Sequence, residues 1–193
     1  MNLISNNCFG GMYLRREKLQ FKNPFIWTAI NCKDFLNVIH NFDTINWMNY
    51  EIIKDKNWNF FINIDNKCKL NCVHYRFSKT DDKPRKSYVD VFYSKIWEYI
   101  NEKYLTRLER MKEPPIFLID WTDCLGFTED ELKKFINEYK GKYHCLIITN
   151  YSVHCNNTKI HIICGNPSSK VLGADRAEET VHDTIKQIIN SLN

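Results

Sequence analysis

The sequence predicts one three-layer α/β domain over residues 1–193, with a mainly parallel sheet and a small β-hairpin insertion. Strand patterns and helix patterns alternate along the chain, most clearly from residue 88 onward, as in domains whose sheet is covered by helices on both faces. The apolar content of 44% and the charged content of 26% are typical of a globular protein. A chain of 193 residues is also long enough to bury a core of ordinary size.

The first half of the chain contributes a strand, two helices and a hairpin. The strands are predicted at 2–5, 58–64 and 70–77, and the helices at 10–18 and 34–42. Apolar residues recur at helical spacing in the second helix, and the two later strands are rich in aromatic and β-branched residues. Asp65-Asn66-Lys67 separates those strands and predicts a hairpin turn. Residues 21–30 contain Asn23-Pro24 and predict a loop that packs onto the core, and the polar residues 78–87 predict a mobile loop.

The second half of the chain begins with the longest helix, over residues 88–111, where apolar residues recur every three or four positions. Pro114-Pro115 prevents its continuation. The strands are predicted at 116–119, 145–149 and 159–164, the helices at 128–139 and 175–192, and a loop at 165–173. The strand at 116–119 is continuously apolar, as buried parallel strands are. Thr128 and Glu131 form a capping box that opens the following helix.

Composition narrows the classes of function. The net charge of +4 is only mildly basic and does not indicate a nucleic-acid binder. No apolar stretch is long enough for a membrane span, and the N-terminus lacks a signal-peptide pattern, so the sequence predicts a cytoplasmic protein without an integral membrane segment. The eight cysteines are expected to be mostly free packing thiols rather than a disulfide framework. Neither zinc spacing nor a phosphate-binding loop is present, and we expect no metal and no cofactor.

Cys8 is the most informative residue. It follows the first strand and a polar pair, and it precedes Gly10 and Gly11 at the start of the first helix. The partial positive charge of a helix N-terminus and its free N–H groups favour a thiolate, and the thiolate is the nucleophilic form of cysteine. The alternative is a small buried hydrophobic residue in a sharp turn.

The crevice of such a domain lies beyond the carboxyl ends of its strands. His74, late in the hairpin, is the candidate base for the Cys8 thiol, and Asp120, at the end of a buried strand, is the candidate group that orients the imidazole. Asp123 and Asn150 are substitutes for that role. The alternatives are a half-buried strand histidine and a carboxylate that caps a turn. The other helical histidines, His40 and His182, are expected to be solvated.

Polar and basic residues near the crevice are candidates for binding a substrate. Asn7, Gly10 and Gly11 surround Cys8, where backbone N–H groups would receive an oxyanion. Arg76, Arg107 and Arg110 are candidates for binding an anionic substrate, because guanidinium groups match phosphates and carboxylates. The alternative is a solvated helix face that is balanced by three glutamates, Glu98, Glu102 and Glu109.

The opening segment Ile4-Ser5-Asn6-Asn7-Cys8-Phe9-Gly10-Gly11-Met12-Tyr13 resembles the start of an uncharacterised bacterial family whose members are often labelled exopolysaccharide biosynthesis proteins. That family opens with the pattern I-S-N-N-C-x-G-G-x-x-Y. The resemblance extends over roughly residues 3–150 and includes His74-Tyr75, the helix with Arg107 and Arg110, and the strand that ends at Asp120. The family usually has Ser-Pro where this chain has Asn23-Pro24.

The same span is similar to a second family, which is described as papain-like cysteine peptidases. The shared features are an early cysteine, a Pro-Phe followed closely by a tryptophan, a later histidine, and a helix with the pattern Lys-Tyr-x-x-Arg. Carried over by position, this resemblance implies Cys8 as the nucleophile and His74 as the base. The cysteine motif of papain itself is absent.

We therefore expect an enzyme that uses Cys8 for acyl transfer or hydrolysis on a small-molecule or glycan-linked anionic substrate. The first resemblance implies a role in the synthesis or modification of surface polysaccharides. One alternative is a transferase without a covalent step, which binds a nucleotide-sugar or a phosphorylated donor through Arg107, Arg110 and Asp120. Another is a non-catalytic partner in a polysaccharide biosynthesis complex. The sequence indicates neither the substrate's identity nor the oligomeric state.

Overall fold

The computed structural model of the chain describes residues 1–25, 28–56, 59–72, 86–165 and 174–192. Strands and helices alternate over these residues, and the predicted α/β class is confirmed. The strands are β1 (Asn2–Ser5), β2 (Tyr50–Lys54), β3 (Phe60–Ile64), β4 (Cys68–Asn71), β5 (Pro115–Asp120), β6 (His144–Thr149) and β7 (Ile160–Cys164). The helices are α1 (Phe9–Arg16), α2 (Cys32–Asn41), α3 (Lys86–Arg110), α4 (Glu129–Glu138) and α5 (Ala174–Leu192). None of the described helices has the length and hydropathy needed to cross a membrane.

The main sheet has four strands in the order β1-β5-β6-β7, and every neighbouring pair is parallel. Ser5 is paired with Leu118, and Asp120 with Ile148. The carboxyl ends of β1 and β5 therefore lie side by side at one edge of the sheet, where ligands bind in open α/β folds.

Both faces of this sheet are covered by apolar side chains. On one face, Leu3, Leu118 and Leu146 pack with residues of α1 and α5, such as Leu14 and Ile185. On the other face, a second core combines the remaining buried residues of these strands with residues of α2, α3, α4 and the smaller sheet. Its members include Ile4, Phe35, Ile62, Ile100, Phe117, Leu132 and Ile147. Successive side chains of a strand point to opposite faces, which explains why neighbours such as Leu3 and Ile4 belong to different cores.

The smaller sheet is antiparallel, in the order β2-β3-β4. The predicted hairpin corresponds to β3 and β4, and its turn places Asp65 and Asn66 at φ 52° each, a conformation that short polar residues tolerate. The sequence did not predict β2, whose half-exposed pattern includes the exposed residue Glu51. The polar segment predicted as a mobile loop lies outside the described residues except for its end, which starts α3.

Residues 28–30 connect the two sheets. Ala29 forms an antiparallel bridge with Asn71 at the end of β4, with N···O distances of 2.6 and 2.8 Å. The next residue, Ile30, donates its N–H to the carbonyl of Asn6 at 2.9 Å. This segment therefore lies against the carboxyl end of β1, and it forms one wall of the site described below.

His182 is buried, and the prediction that it is solvated is wrong. Its side chain donates from Nε2 to Glu17 at 2.7 Å, and its ring lies 4.6 Å from the ring of Tyr13. Glu17 also pairs with Lys186 at 2.8 Å. The ring packs against α1, and Glu17 at the end of α1 supplies the hydrogen-bond partner that a buried imidazole needs.

Candidate functional site

The carboxyl edge of β1 and β5 brings together two of the predicted site residues, Asn7 and Asp120. The Asn7 amide nitrogen donates to Asp120 Oδ2 at 3.0 Å and to Asp123 Oδ2 at 3.2 Å. One amide group thus bridges two carboxylates. The Asn7 oxygen accepts from the N–H of Phe9 at 3.0 Å, so this side chain also satisfies the first N–H of α1.

Asn6 extends the pairing of β1 and β5 by one residue through its side chain. Its Oδ1 accepts from the backbone N–H of Asp120 at 2.9 Å, and its Nδ2 donates to the carbonyl of Asp120 at 3.2 Å. The side chain is 3% exposed. Its place directly after the first strand marks Asn6 in the sequence as a residue of the predicted crevice, although it was not among the predicted catalytic or substrate-binding residues.

Asp120 is fully buried and holds the turn that follows it. Its Oδ1 accepts from the N–H of Thr122 at 3.1 Å and from the hydroxyl of Thr122 at 2.6 Å. The alternative interpretation, in which this carboxylate caps a turn, is therefore confirmed. Its predicted role toward His74 stays a prediction, because His74 lies outside the described residues.

Cys8 occupies the N-cap position of α1, as predicted, and its carbonyl accepts from the N–H of Met12 at 3.0 Å. The thiol is partly buried, and its sulfur lies 4.0 Å from the carbonyl oxygen of Thr28. Burial raises the pKa of the Cys8 thiol, and the negative charge of Asp123 raises it further. This direction is opposite to the one expected from the helix end, because desolvation and a carboxylate both disfavour the thiolate.

Neutralising Asp123 is expected to make Cys8 more reactive. The Asp123→Asn substitution removes the charge that raises the thiol pKa and keeps an amide of similar size beside Asn7. At pH 8 we expect severalfold faster alkylation of Cys8 by iodoacetamide, measured by peptide mass spectrometry. A lowered pKa moves the midpoint of the pH–rate profile, whereas altered exposure changes its plateau. Asp130→Asn, on the exposed surface of α4, is the control, and equal rates in Asp123→Asn and wild type would contradict the prediction.

Gly10 and Gly11 lie inside α1, and both are buried. A Cβ atom on Gly10 would lie 2.6 Å from the Cβ of Ser5, closer than non-bonded carbon atoms approach each other. Gly10 therefore allows α1 to pack tightly onto the end of β1. This packing role accounts for glycine at position 10, and the predicted role in binding an oxyanion stays a prediction.

The three arginines predicted to bind an anionic substrate differ in burial and in their place relative to the site. Arg107 is partly buried and lines a cavity together with Thr28 and Lys103. Arg110 is exposed in the last turn of α3 and is not among the described residues that line this cavity. Arg76 lies outside the described residues. Asn150, the predicted substitute for Asp120, is exposed beyond the end of β6.

A disulfide joins Cys32 and Cys124, with Cα atoms 5.5 Å apart. It links the first residue of α2 to the turn after β5, and both sulfurs lie 3.7 Å from the amide nitrogen of Asn6. The other six cysteines are free, in agreement with the prediction for most of them. The prediction missed this pair because the cysteines are 92 residues apart and meet only in the folded chain.

The family model of DUF1919, a domain of unknown function, matches residues 1–162. The chain belongs to this family. The match includes β1, the disulfide, Asp120 and Asp123, and therefore all of the described candidate site of this DUF1919 domain. No curated protein matches the chain.

The DUF1919 site combines a partly buried thiol, two carboxylates held by one amide, and a cavity with basic residues. In the described part of the chain, no group of three or more His, Cys, Asp or Glu side chains has the arrangement of a metal site. The thiol can serve as a nucleophile if a base removes its proton during attack. The two carboxylates can accept hydrogen bonds and so orient a hydrogen-bond donor. Sequence reasoning missed Thr28 as a site residue, because its position beside Lys103 and Arg107 depends on the packing of α3 against residues 28–30.

Proposed function

We propose that this DUF1919 domain is an enzyme that uses the Cys8 thiol for acyl transfer or hydrolysis. The observation that carries the proposal is the position of Cys8. It lies at the start of α1 and beyond the carboxyl end of β1, and its thiol is partly exposed. Ligands of open α/β folds bind in the crevice at these strand ends.

The reaction would proceed in two steps. Attack by the Cys8 sulfur on an acyl carbonyl forms a carbon–sulfur bond, while the thiol proton moves to a base and the leaving group departs with a proton. Water or an acceptor hydroxyl then attacks the thioester and restores the thiol. Because the pKa of Cys8 is raised, the resting group is a thiol, and the base must act during attack. His74 is the base that the sequence predicts for this step.

The proposal is tested by acylation with p-nitrophenyl acetate, a small neutral ester. We expect rapid release of p-nitrophenol and an acetyl adduct on the peptide that contains Cys8, detected by mass spectrometry under acidic quench. Cys8→Ser should lose the thioester, whereas Cys155→Ser, which removes another partly buried thiol, should retain it. Acetylation of Cys8 no faster than that of the exposed Cys164 would overturn the proposal.

A transferase without a covalent step is the second candidate. One structural observation supports it: the raised pKa of the Cys8 thiol disfavours the thiolate that covalent catalysis needs. In this case the donor is a nucleotide-sugar or another phosphorylated molecule, and the resemblance of the opening motif to exopolysaccharide biosynthesis proteins supports a glycan acceptor. Binding of such a donor with equal affinity by wild type and Cys8→Ser, without acylation of Cys8, would favour this candidate.

A further inference from the structure

The disulfide between Cys32 and Cys124 lies beside the candidate site, in a chain whose other six cysteines are free thiols. One of these thiols, Cys164, is exposed, and Cys8 and Cys155 are partly exposed. Accessible free thiols are typical of surroundings that keep cysteines reduced, and a disulfide that forms in such surroundings is usually catalytic or redox-sensing. The pair is therefore a candidate for reversible oxidation rather than for a permanent framework.

A short surface turn covers the disulfide. Cys124 belongs to residues 121–127, and the neighbouring residues Asp123 and Leu125 are exposed. The N–H groups of Cys124 and Phe127 donate to carbonyls of the same turn, at 3.2 and 3.0 Å. Local opening of such a turn costs less free energy than global unfolding. A small thiol can therefore reach the sulfur atoms while the rest of the domain stays folded.

The surroundings of the pair also suit its reduced form. The Cys124 sulfur lies 3.4 Å from the carbonyl oxygen of Asp120, to which a thiol can donate. The Asn6 amide nitrogen lies 3.7 Å from both sulfurs and can donate to either of them. Buried polar groups need such partners, and here they are in place for both redox states. Reduction still moves the turn, because two sulfurs that are no longer bonded must separate.

The turn connects the disulfide to Cys8 through Asp123, which directly precedes Cys124. Asp123 accepts a hydrogen bond from the Asn7 amide at 3.2 Å, and Asn7 is the residue before Cys8. The negative charge of Asp123 acts together with burial to raise the pKa of the Cys8 thiol. A movement of the turn would therefore change the electrostatic surroundings of this thiol.

We propose that the Cys32–Cys124 pair is a redox switch that sets the reactivity of Cys8. In the oxidised state, the disulfide holds Asp123 against Asn7 and keeps Cys8 protonated. In the reduced state, the turn relaxes and Cys8 reacts faster. The inference goes beyond the proposed function, because alkylation reports the reactivity of Cys8 whether or not this residue forms an acyl intermediate.

The switching reaction is thiol–disulfide exchange with a small thiol such as glutathione. The sulfur of one glutathione attacks a sulfur of the pair and forms a mixed disulfide, while the other cysteine leaves and takes up a proton. A second glutathione then attacks the mixed disulfide and departs as oxidised glutathione. The pair gains two electrons and two protons, and two molecules of glutathione lose them.

The first test measures whether the folded protein exchanges. The protein is equilibrated in millimolar glutathione at different ratios of the reduced and oxidised forms, quenched with acid, and analysed by peptide mass spectrometry. We expect the pair to change from disulfide to dithiol across this series. Circular dichroism should stay native, and the fully buried Cys145 should stay protected from labelling. A pair that remains oxidised until the protein unfolds would overturn the proposal.

The second test measures Cys8 alkylation by iodoacetamide in the oxidised and reduced proteins, after the glutathione has been removed. We expect a severalfold faster rate in the reduced protein, whereas the exposed Cys164 should react equally in both. The variant with Cys32→Ser and Cys124→Ser should show the fast rate without reductant. Cys155→Ser, which removes a cysteine outside the pair, should respond to glutathione as wild type does.

Asp123→Asn shows whether the effect runs through the carboxylate, because this variant should lose most of the response of Cys8 to reduction. Equal Cys8 rates in oxidised and reduced wild type, or a full response in Asp123→Asn, would overturn the proposal. The comparison within wild type decides the matter even if the double serine variant fails to fold. Failure of the proposed function is a separate result. Cys8 would then not be acylated by p-nitrophenyl acetate in either redox state, while its alkylation would still respond to glutathione.

Discussion

Removal of the disulfide between Cys32 and Cys124 is expected to lower the free energy of unfolding by about 4 kcal/mol. The two cysteines are 92 residues apart, and closing a loop of this length restricts the unfolded chain by roughly 4–5 kcal/mol in the chain-entropy model. The half-cystines are buried, with exposures of 9% and 5%. The measurement is urea unfolding of wild type and of the variant with Cys32→Ala and Cys124→Ala.

Two controls make this result specific. A variant with Cys155→Ala and Cys164→Ala removes the same number of cysteines from partly buried and exposed positions, and it should lose far less stability. Dithiothreitol should destabilise wild type and leave the disulfide-free variant unchanged. If all eight cysteines of the unfolded, unreduced protein reacted with Ellman's reagent, the prediction would be contradicted.

The disulfide also bears on the site, because it fixes the turn that contains Asp123. Cys124 directly follows Asp123 and is tied to α2 through Cys32. Both sulfurs contact the amide of Asn6, which is bonded to the backbone of Asp120. Reduction would therefore loosen the turn that contains Asp123, whose charge adds to the effect of burial on the Cys8 pKa, in addition to lowering stability.

Local signals in the sequence predicted most of the architecture. The continuously apolar run that became β5 required burial on both faces, and Thr128 with Glu131 formed the predicted capping box before α4. The sequence did not predict β2, because a strand with one half-buried face and polar residues such as Glu51 has only a weak alternating pattern. Its assignment depends on pairing with β3, which no local window contains.

The candidate site was predictable only in part. The rule that ligands bind beyond the carboxyl ends of parallel strands selected Asn7 and Asp120 as candidates, and the structure brings the two side chains together. The direction of the Cys8 pKa could not be obtained in the same way, because it depends on burial and on Asp123, which belongs to a distant turn. The same is true of His182, whose burial depends on the partner that Glu17 provides at the end of α1.

The substitution Asn6→Ala is expected to lower the free energy of unfolding by about 2–4 kcal/mol, a large part of the stability of an ordinary domain. The Asn6 side chain pairs with both the N–H and the carbonyl of Asp120, at 2.9 and 3.2 Å. Alanine would leave both of these buried groups without that partner, and each such group costs about 1–3 kcal/mol. Urea unfolding is the measurement. Asn37→Ala, which removes a hydrogen bond from an exposed asparagine on α2 to the carbonyl of Lys67, is the matched control and should cost less than about 1 kcal/mol.

The same variant distinguishes a structural role of Asn6 from a role in shaping the site. Asn6 holds the end of β1 against β5, and the carbonyl of Asn6 accepts from Ile30 in the segment that carries Thr28. Loss of the side chain should therefore loosen the wall beside Cys8 and raise the plateau rate of Cys8 alkylation by iodoacetamide, because burial of the thiol would decrease. A loss of stability without any change in that rate would show that Asn6 stabilises the fold and does not shape the wall beside Cys8. A stability equal to that of Asn37→Ala would show that the side-chain pairing beyond Ser5 does not hold this edge of the sheet together.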